Sequence, residues 1–493
     1  VSSINIGHVS DAAVRGLPSR VALIVDDRPC TYGQLDDVVR RAMTCLAERG
    51  IGPGDRVPIV DVGSVVSVAA TLAAARMGAA AALINPALRR GEIAALVDTA
   101  GCRPLAVTGD AFAATGGVAV GGNVLTSSEL LGAAPAATDS SIGSDDDEAL
   151  ILFTSGTTGL PKAVPISHGV LGARLSGFAA PFRPEVDANT TIMCVPYFHV
   201  GGSLGLLGSL YSGNTLVIQA RFDAGEWIRL VRDHRVTGAF LVPTMLQRIL
   251  DHPDCSAEAL NSLVSITYGA AAAPVALVER AMDALPHVGL ANVFGQTETL
   301  GAYTMLLPDD HRRRDRIGSL GKPLPGVELR IVVPGTEAPV PSGQVGELLV
   351  LSPQNVAPGW LRTGDLARVD GDGYLYPSGR LSDTINRGGE KFGPIEIETV
   401  LRRHPSVADV AVTGVADTEM GQRVAAVVVL GNPATEQDLT DFCREHVARF
   451  KIPERIVFVD TVPYNETGKV DRRALAQLVA HEAETVAREA ETA

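Results

Sequence analysis

Aromatic residues make up only 4% of the 493-residue chain, so alanine and glycine must do much of the core filling. Excess positive charge is also lacking. A net charge of -14 argues against general binding to nucleic acid or anionic membranes, although a local loop can still be positive. The six cysteines (Cys30, Cys45, Cys102, Cys194, Cys255 and Cys443) lie far apart with no CxxC pair. That spacing gives no metal signature and fits reduced thiols in a cytoplasmic protein. Long uninterrupted apolar runs are missing as well. Ser64, Ser67, Thr71 and Arg76 break the stretch Val62–Ile84, which reads as a buried alanine-rich helix followed by a strand, not a membrane span. The opening residues do not read as a signal peptide, and Val at position 1 leaves room for a trimmed start.

What is present is a soluble globular composition, 46% apolar and 20% charged. A single core rarely grows past about 250–300 residues, so two or more domains are expected. Residues 20–61 read as strand, turn, helix and strand. The helix opens on a capping box, Thr31 at the N-cap and Gln34 three residues on, and stops at Gly50. Further alternation up to Leu105–Val107 is the pattern of a parallel sheet with helices on its faces. Residues 109–148 are low in complexity and read as surface loop with short regular pieces, ending in a solvated acidic run, Asp145–Glu148.

The chemistry starts where the apolar run Ile151–Phe153 breaks into Thr154, Ser155, Gly156, Thr157, Thr158, Gly159, Leu160, Pro161 and Lys162. Glycines let the backbone approach a bulky anion and turn its N–H groups inward. The hydroxyls add donors, and Lys162 adds a mobile positive charge. At 4 Å and an effective dielectric near 20, a lysine–phosphate contact is worth roughly 4 kcal/mol before desolvation. The common P-loop needs a hydroxyl directly after its lysine, whereas here Pro161 precedes Lys162 and Ala163 follows it. A different class of nucleotide enzyme is indicated.

A second signal is Asn292, Val293, Phe294, Gly295, Gln296, Thr297 and Glu298. Phe294 offers a flat face for a base, Thr297 a hydroxyl for a phosphate, and Glu298 a hard oxygen for Mg²⁺, which takes one or two carboxylates plus phosphate oxygens. Further along stand Trp360–Asp365, Gly379-Arg380, Asn386–Lys391 and Pro463–Lys469. Together these stretches resemble, in order, the motifs of the adenylate-forming superfamily of acyl-CoA synthetases, peptide-synthetase adenylation domains and firefly luciferase. The resemblance covers about residues 20–475.

The resemblance implies an α/β fold. A large N-terminal AMP-binding domain, residues 1–380, holds parallel-rich sheets with helices and a β-rich subdomain. A small mobile α+β domain, residues 381–493, follows a hinge at Leu381 and Ser382. ATP or AMP is assigned to the loop Thr154–Lys162, to Gly269, Ala270 and Ala271, to Asn292, Phe294, Gly295 and Thr297, to Asp365 on the ribose hydroxyls, and to Arg380 and Lys469. Glu298 and Thr154 are the Mg²⁺ candidates. His199 lies over the acyl carboxylate, with Val200, Gly201, Gly202, Ser203 and Gly301 lining the acyl pocket. Gly388, Gly389, Glu390 and Lys391 are the coenzyme A turn. The catalytic set is Lys469, Lys162, Glu298, Thr297 and His199. Two departures stand out: Ser382 replaces the usual Asp or Lys, and an aromatic-rich insert before Trp360 is missing, so Val356 runs almost directly to Trp360.

The expected reaction has two halves. A carboxylate attacks the α-phosphorus of ATP, giving acyl-AMP and pyrophosphate, and the thiol of coenzyme A then attacks the acyl carbon. A fatty acid is the expected substrate. Alternatives are an acyl or aryl adenylation enzyme loading a carrier protein and a dicarboxylate (oxalate-like) CoA ligase. Luciferase-like oxygenation has no residue to support it. A non-catalytic relative would require loss of Lys162, Glu298, Asp365 or Lys469, and all four are present. The partners are small molecules, with no nucleic acid or membrane span, in a monomer or homodimer.

Overall fold

A computed structural model describes residues 4–114, 123–136, 143–154, 162–464, 469–472 and 474–482. These form two compact units. The first comprises residues up to Ile317 together with Leu324–Val327 and Ser352–Gly359; the second comprises Gly318–Pro323, Glu328–Leu351 and the chain from Trp360 onward.

The first unit is built on two parallel-rich sheets. One places Val124–Thr126, Ala106–Thr108, Arg56–Val60, Ala80–Ile84, Glu148–Thr154 and Lys162–Ser167 side by side, parallel except for the last hairpin. The other runs Gly301–Leu306, Gly289–Gln296, Ser265–Gly269, Gly238–Leu241, Thr190–Met193, Thr215–Ile218, Val21–Val25 and Arg28–Thr31, with antiparallel pairs at both ends of this series. Helices supply the crossovers that parallel strands require. The capping box at Thr31 and Gln34 forms as the sequence predicts, and the helix runs Tyr32–Glu48. The sequence places the turn at Asp26–Pro29; in the structure Asp26 and Asp27 take positive φ and make it, and Arg28 and Pro29 already belong to the strand Arg28–Thr31.

The stretch that resembled a membrane span is a helix, Val65–Arg76, followed by a strand, Ala80–Ile84, both buried in the core. Alanines along it allow close approach to the helix Tyr32–Glu48. Among the described residues no helix is long and apolar enough to cross a membrane. At its end, fully buried Arg76 pairs with Asp36 at 2.8 Å and Asp11 at 3.0 Å and donates to the Gly7 carbonyl at 2.7 Å. Two carboxylates and a carbonyl replace the water that this guanidinium gave up. In the acidic run, Glu148 is an ion-pair partner for Arg56 at 2.6 Å.

The second unit holds a four-stranded antiparallel sheet, Glu328–Val332, Gly346–Leu351, Leu361–Val369 and Leu375–Arg380. It also holds a five-stranded sheet of Glu390–Phe392, Ile385–Arg387, Gly421–Leu430, Val407–Asp417 and Arg455–Phe458, with helices Pro394–Leu401 and Glu436–His446 packed on it. Buried Glu398 is held by the Val412 amide at 2.9 Å and Arg472 at 3.2 Å, tying helix, strand and C-terminal segment together.

Candidate active site

The first unit brings several of the expected residues to strand ends. Thr154 and Lys162 are register partners across an antiparallel pair, so both ends of the segment expected to bind phosphate start from one place. Ser155, Gly156, Thr157, Thr158 and Gly159 lie outside the described residues. Lys162 is exposed and Thr154 half-buried.

The strand Ser265–Gly269 ends beside Val293 of the parallel strand Gly289–Gln296. A Cβ on Gly269 would sit 2.2 Å from the Val293 carbonyl oxygen, so only glycine fits there. Ala270 follows with φ 66°, a left-handed backbone that few side chains tolerate, and Ala271 continues the turn. Asn292 is buried, and Phe294 is held edge-on by Tyr303 with centroids 5.1 Å apart. A Cβ at Gly295 would collide with the Gly301 carbonyl at 1.9 Å. The strand then gives way to a short turn of helix, Thr297–Thr299. Among the described residues neither the Thr297 hydroxyl nor the half-buried Glu298 carboxylate has a hydrogen-bond or ion-pair partner. An uncommitted hard oxygen beside an uncommitted hydroxyl fits a cation bridging to phosphate oxygens. No group of three or more His, Cys, Asp or Glu suited to a metal occurs among the described residues, so any cation there would take much of its shell from ligand and water.

The acyl candidates gather at the start of one helix, except Gly301, which opens the strand Gly301–Leu306. His199 is the N-cap of Val200–Tyr211 and stacks edge-on with Phe198 at 4.8 Å. The small residues after it have different surroundings. Gly202 packs so tightly on Pro196 that a Cβ would meet its carbonyl at 2.3 Å, and Ser203 is buried with its hydroxyl on the His199 carbonyl at 3.2 Å. Gly201 faces the Phe240 ring, and Val200 is half-buried. Gly301, with φ 91°, lies against Leu204 and Arg174.

The short Val356–Trp360 connection has structural consequences. The Val356 amide donates to the Glu298 carbonyl at 2.9 Å, and nearby Gln354 accepts from Arg174 at 2.9 Å. Sequence reasoning missed Arg174 and Gln354. A signal existed: Leu171, Arg174, Leu175 and Phe178 occupy one helical stripe, which puts a cation where an apolar residue is expected.

In the second unit, Asp365 and Arg380 are register partners on adjacent strands, with Arg380 Nε 2.9 Å from the carboxylate. Burial pushes the Asp365 carboxyl above its ordinary value, while the charges of Arg380 and Lys469 pull it back. Thus Lys469 acts on the same carboxylate as Arg380. Lys469 itself is exposed, next to the bridge between Tyr464 and Val470; residues 465–468 lie outside the described set. Leu381 and Ser382 form a short helical turn after Arg380, with Leu381 exposed. Gly388 and Gly389 have φ 60° and 93° and make the two-residue turn of a hairpin that pairs Arg387 with Glu390. Lys391 continues that strand and is described by its backbone alone.

Parallel sheets ending in glycine-shaped turns, an open carboxylate and hydroxyl, and a second unit presenting a buried aspartate with two cations define a nucleotide-handling enzyme. The chain belongs to the AMP-binding enzyme family: the family's model matches residues 10–361, and its C-terminal domain model matches residues 396–469. It is thereby a member of the adenylate-forming superfamily. Over 498 residues it is 33% identical to a methyl-dioxo-octahydroindenyl-propanoyl:CoA ligase of Mycobacterium tuberculosis, covering 95% of this chain and 97% of that one. It is 30% identical to the fatty acid–acyl-carrier-protein ligase ScoC of Streptomyces coeruleorubidus, covering 93% of each. Its fold is similar to that of the o-succinylbenzoate coenzyme A synthetase of Bacillus subtilis in complex with ATP and magnesium ion. The TM-score is 0.82 at 28% identity, over 94% of this chain and 98% of the other.

Proposed function

We propose that the protein is an AMP-forming acid–thiol ligase that activates a carboxylic acid with ATP and Mg²⁺ and transfers the acyl group to coenzyme A. The observation that carries this reading is the pair of Thr297 and Glu298, both uncommitted, at the end of the strand that carries Phe294. Mg²⁺ supplies charge neutralisation on the phosphates when bound, with Glu298 and Thr154 as its protein oxygens. The chain's own residues do the positioning. Thr154–Lys162 and Thr297 hold the phosphates, Phe294 and the Gly269–Ala271 turn accept the adenine, and Asp365 accepts the ribose hydroxyls. Lys469 steadies the charge that grows on the attacked α-phosphate, and His199 lies at the acyl carboxylate. Acyl-AMP is labile to water, so the second half-reaction calls for exclusion of solvent. Leu381 and Ser382 are the proposed hinge between residues 1–380 and 381–493, and the Gly388–Lys391 turn is assigned to the thiol donor.

A fatty acid, as expected from the sequence, has support from the likeness to ScoC, which also keeps a carrier protein as the alternative acceptor. The likeness to ligases of ring-bearing keto and dicarboxylic acids supports a more polar substrate. Six unbonded cysteines fit a reducing compartment. The test is acid-dependent ATP–pyrophosphate exchange, followed by thioester formation with coenzyme A or a carrier protein. Exchange without any acid requirement, or none with any acid, would sink the ligase reading. Thioester formation only on a carrier protein would move the acceptor.

A further inference from the structure

Arg174 is 7% exposed, yet its guanidinium has no carboxylate among the described residues. Nη1 donates to the neutral Gln354 amide oxygen at 2.9 Å, the group lies 5.4 Å from the centroid of the Phe178 ring, and buried Nε has no acceptor. A cation in such a place is expensive unless something anionic joins it. Burial alone accounts for the downward displacement of its pKa.

A second observation locates what could join it. Gly201, Gly205 and Gly208 fall on one face of the helix that His199 caps. At Gly201 the Phe240 ring closes the face, and at Gly208 the Phe178 ring does so, at 3.0 Å and 2.8 Å from an added Cβ. At Gly205, between them, an added Cβ meets no atom of the described residues within 4 Å. Gly205 is itself exposed, so the space beside it is open to solvent; it lies one turn from each ring, and one of them, the partly exposed Phe178, is the ring that Arg174 lies over. The guanidinium also borders Gly301, where a Cβ would stand 3.6 Å from Nη2. At 1.5 Å rise per residue, about 13 Å of helix separates His199 from Gly208.

The geometry points to Arg174 as a specificity residue: it receives a second carboxylate of the acid, while the carboxylate to be activated lies toward His199. The substrate class is then a dicarboxylic acid whose two carboxylates are held apart by an apolar spacer along Gly205. This rests on the ligase reading above and adds the pocket's far end to it. Gln354, from the shortened connection, positions the guanidinium and contributes no charge.

The experiment is ATP–pyrophosphate exchange on the full chain with matched acids, octanoate against suberate and hexanoate against adipate. Wild type is expected to favour the diacids in kcat/KM. Arg174→Met should collapse that preference by about ten- to hundredfold, the worth of a charge-assisted bidentate contact, through the KM of the diacid and not the KM of ATP. Arg174→Lys should restore part of it. Gly205→Leu, at an exposed helix position where leucine is the better helix former, keeps the test alive if Arg174→Met fails to fold. It should raise the KM of both acids. A wild-type preference for monocarboxylates, equal losses for both acids in Arg174→Met, or unchanged acid KM in Gly205→Leu would each overturn the inference. Exchange with monocarboxylates alone overturns it while the ligase reading stands; exchange with no acid removes both.

Discussion

Two buried arginines of the first unit carry the same charge in opposite settings. Arg76, at the end of the core helix Val65–Arg76, has Asp11 and Asp36 within 3.0 Å and a backbone carbonyl besides. Arg174, on the helix His168–Phe178, has one neutral amide and an aromatic ring. A buried charge neutralised where it stands is part of the scaffold, because removing either partner strands the other. A buried charge left without its counter-charge is poised for a ligand, which supplies the missing partner on binding. The carboxylate of Glu298, half-buried and of opposite sign, likewise has no partner among the described residues. Charges of the scaffold should therefore answer to stability, and charges of the site to chemistry.

The largest effect should come from the second unit. Lys469→Ala is expected to lower adenylation by about a hundred- to thousandfold, the usual loss for a group that stabilises transition-state charge. Thioester formation from supplied acyl-AMP should be largely kept; equal loss of both half-reactions would remove the separate role of Lys469. Glu298→Gln should reduce exchange by about a hundredfold at saturating Mg²⁺, yet leave the denaturation midpoint where it was, since its carboxylate holds nothing in the protein. A lowered midpoint would place Glu298 with the scaffold.

The arginines give the direct contrast. Arg76→Met should lower unfolding free energy by about 3 kcal/mol, because it leaves two carboxylates without a shared cation. Arg174→Met should change it by less than about 1 kcal/mol in either direction, since an apolar chain replaces a charge without a counter-ion. Chemical denaturation of the two variants decides this, and equal losses would erase the distinction.

The smallest effect is in pH dependence. Burial raises the pKa of Asp365, so its carboxylate is lost as pH falls through a value above the ordinary 3.8, and with it the acceptor for a ribose diol. Asp36 is the opposite case. Burial pushes its pKa upward, but Arg40 and Arg76 outweigh that and hold it below 3.8. Its stabilisation is present above the ordinary value and disappears only as pH falls through the lower, folded one. On acidification, nucleotide affinity should fail before the fold does. Isothermal titration alongside circular dichroism would show the order, and simultaneous loss would contradict it.

Local signals carried far in this chain. The capping box at Thr31, the alanine-rich helix inside Val62–Ile84 and the strand that runs up to Thr154 were all legible, because each is a short-range consequence of backbone geometry. The small residues after His199 were less so: Gly202 is small because Pro196 crowds it, whereas Gly205 borders open space. Sequence spacing shows that both are glycines but not what faces them. Arg174 was missed for the same reason, since Gln354 reaches it from 180 residues away in the chain.

By itself the sequence determined the superfamily and the order of the stretches that resemble its motifs. These depend on residue type and on contacts a few positions long. Only the tertiary structure decided which charges are compensated and where space remains beside the helix Val200–Tyr211. Burial and counter-charge come from segments far apart in the chain, and the energy of a buried ion is set by those neighbours and not by its own side chain.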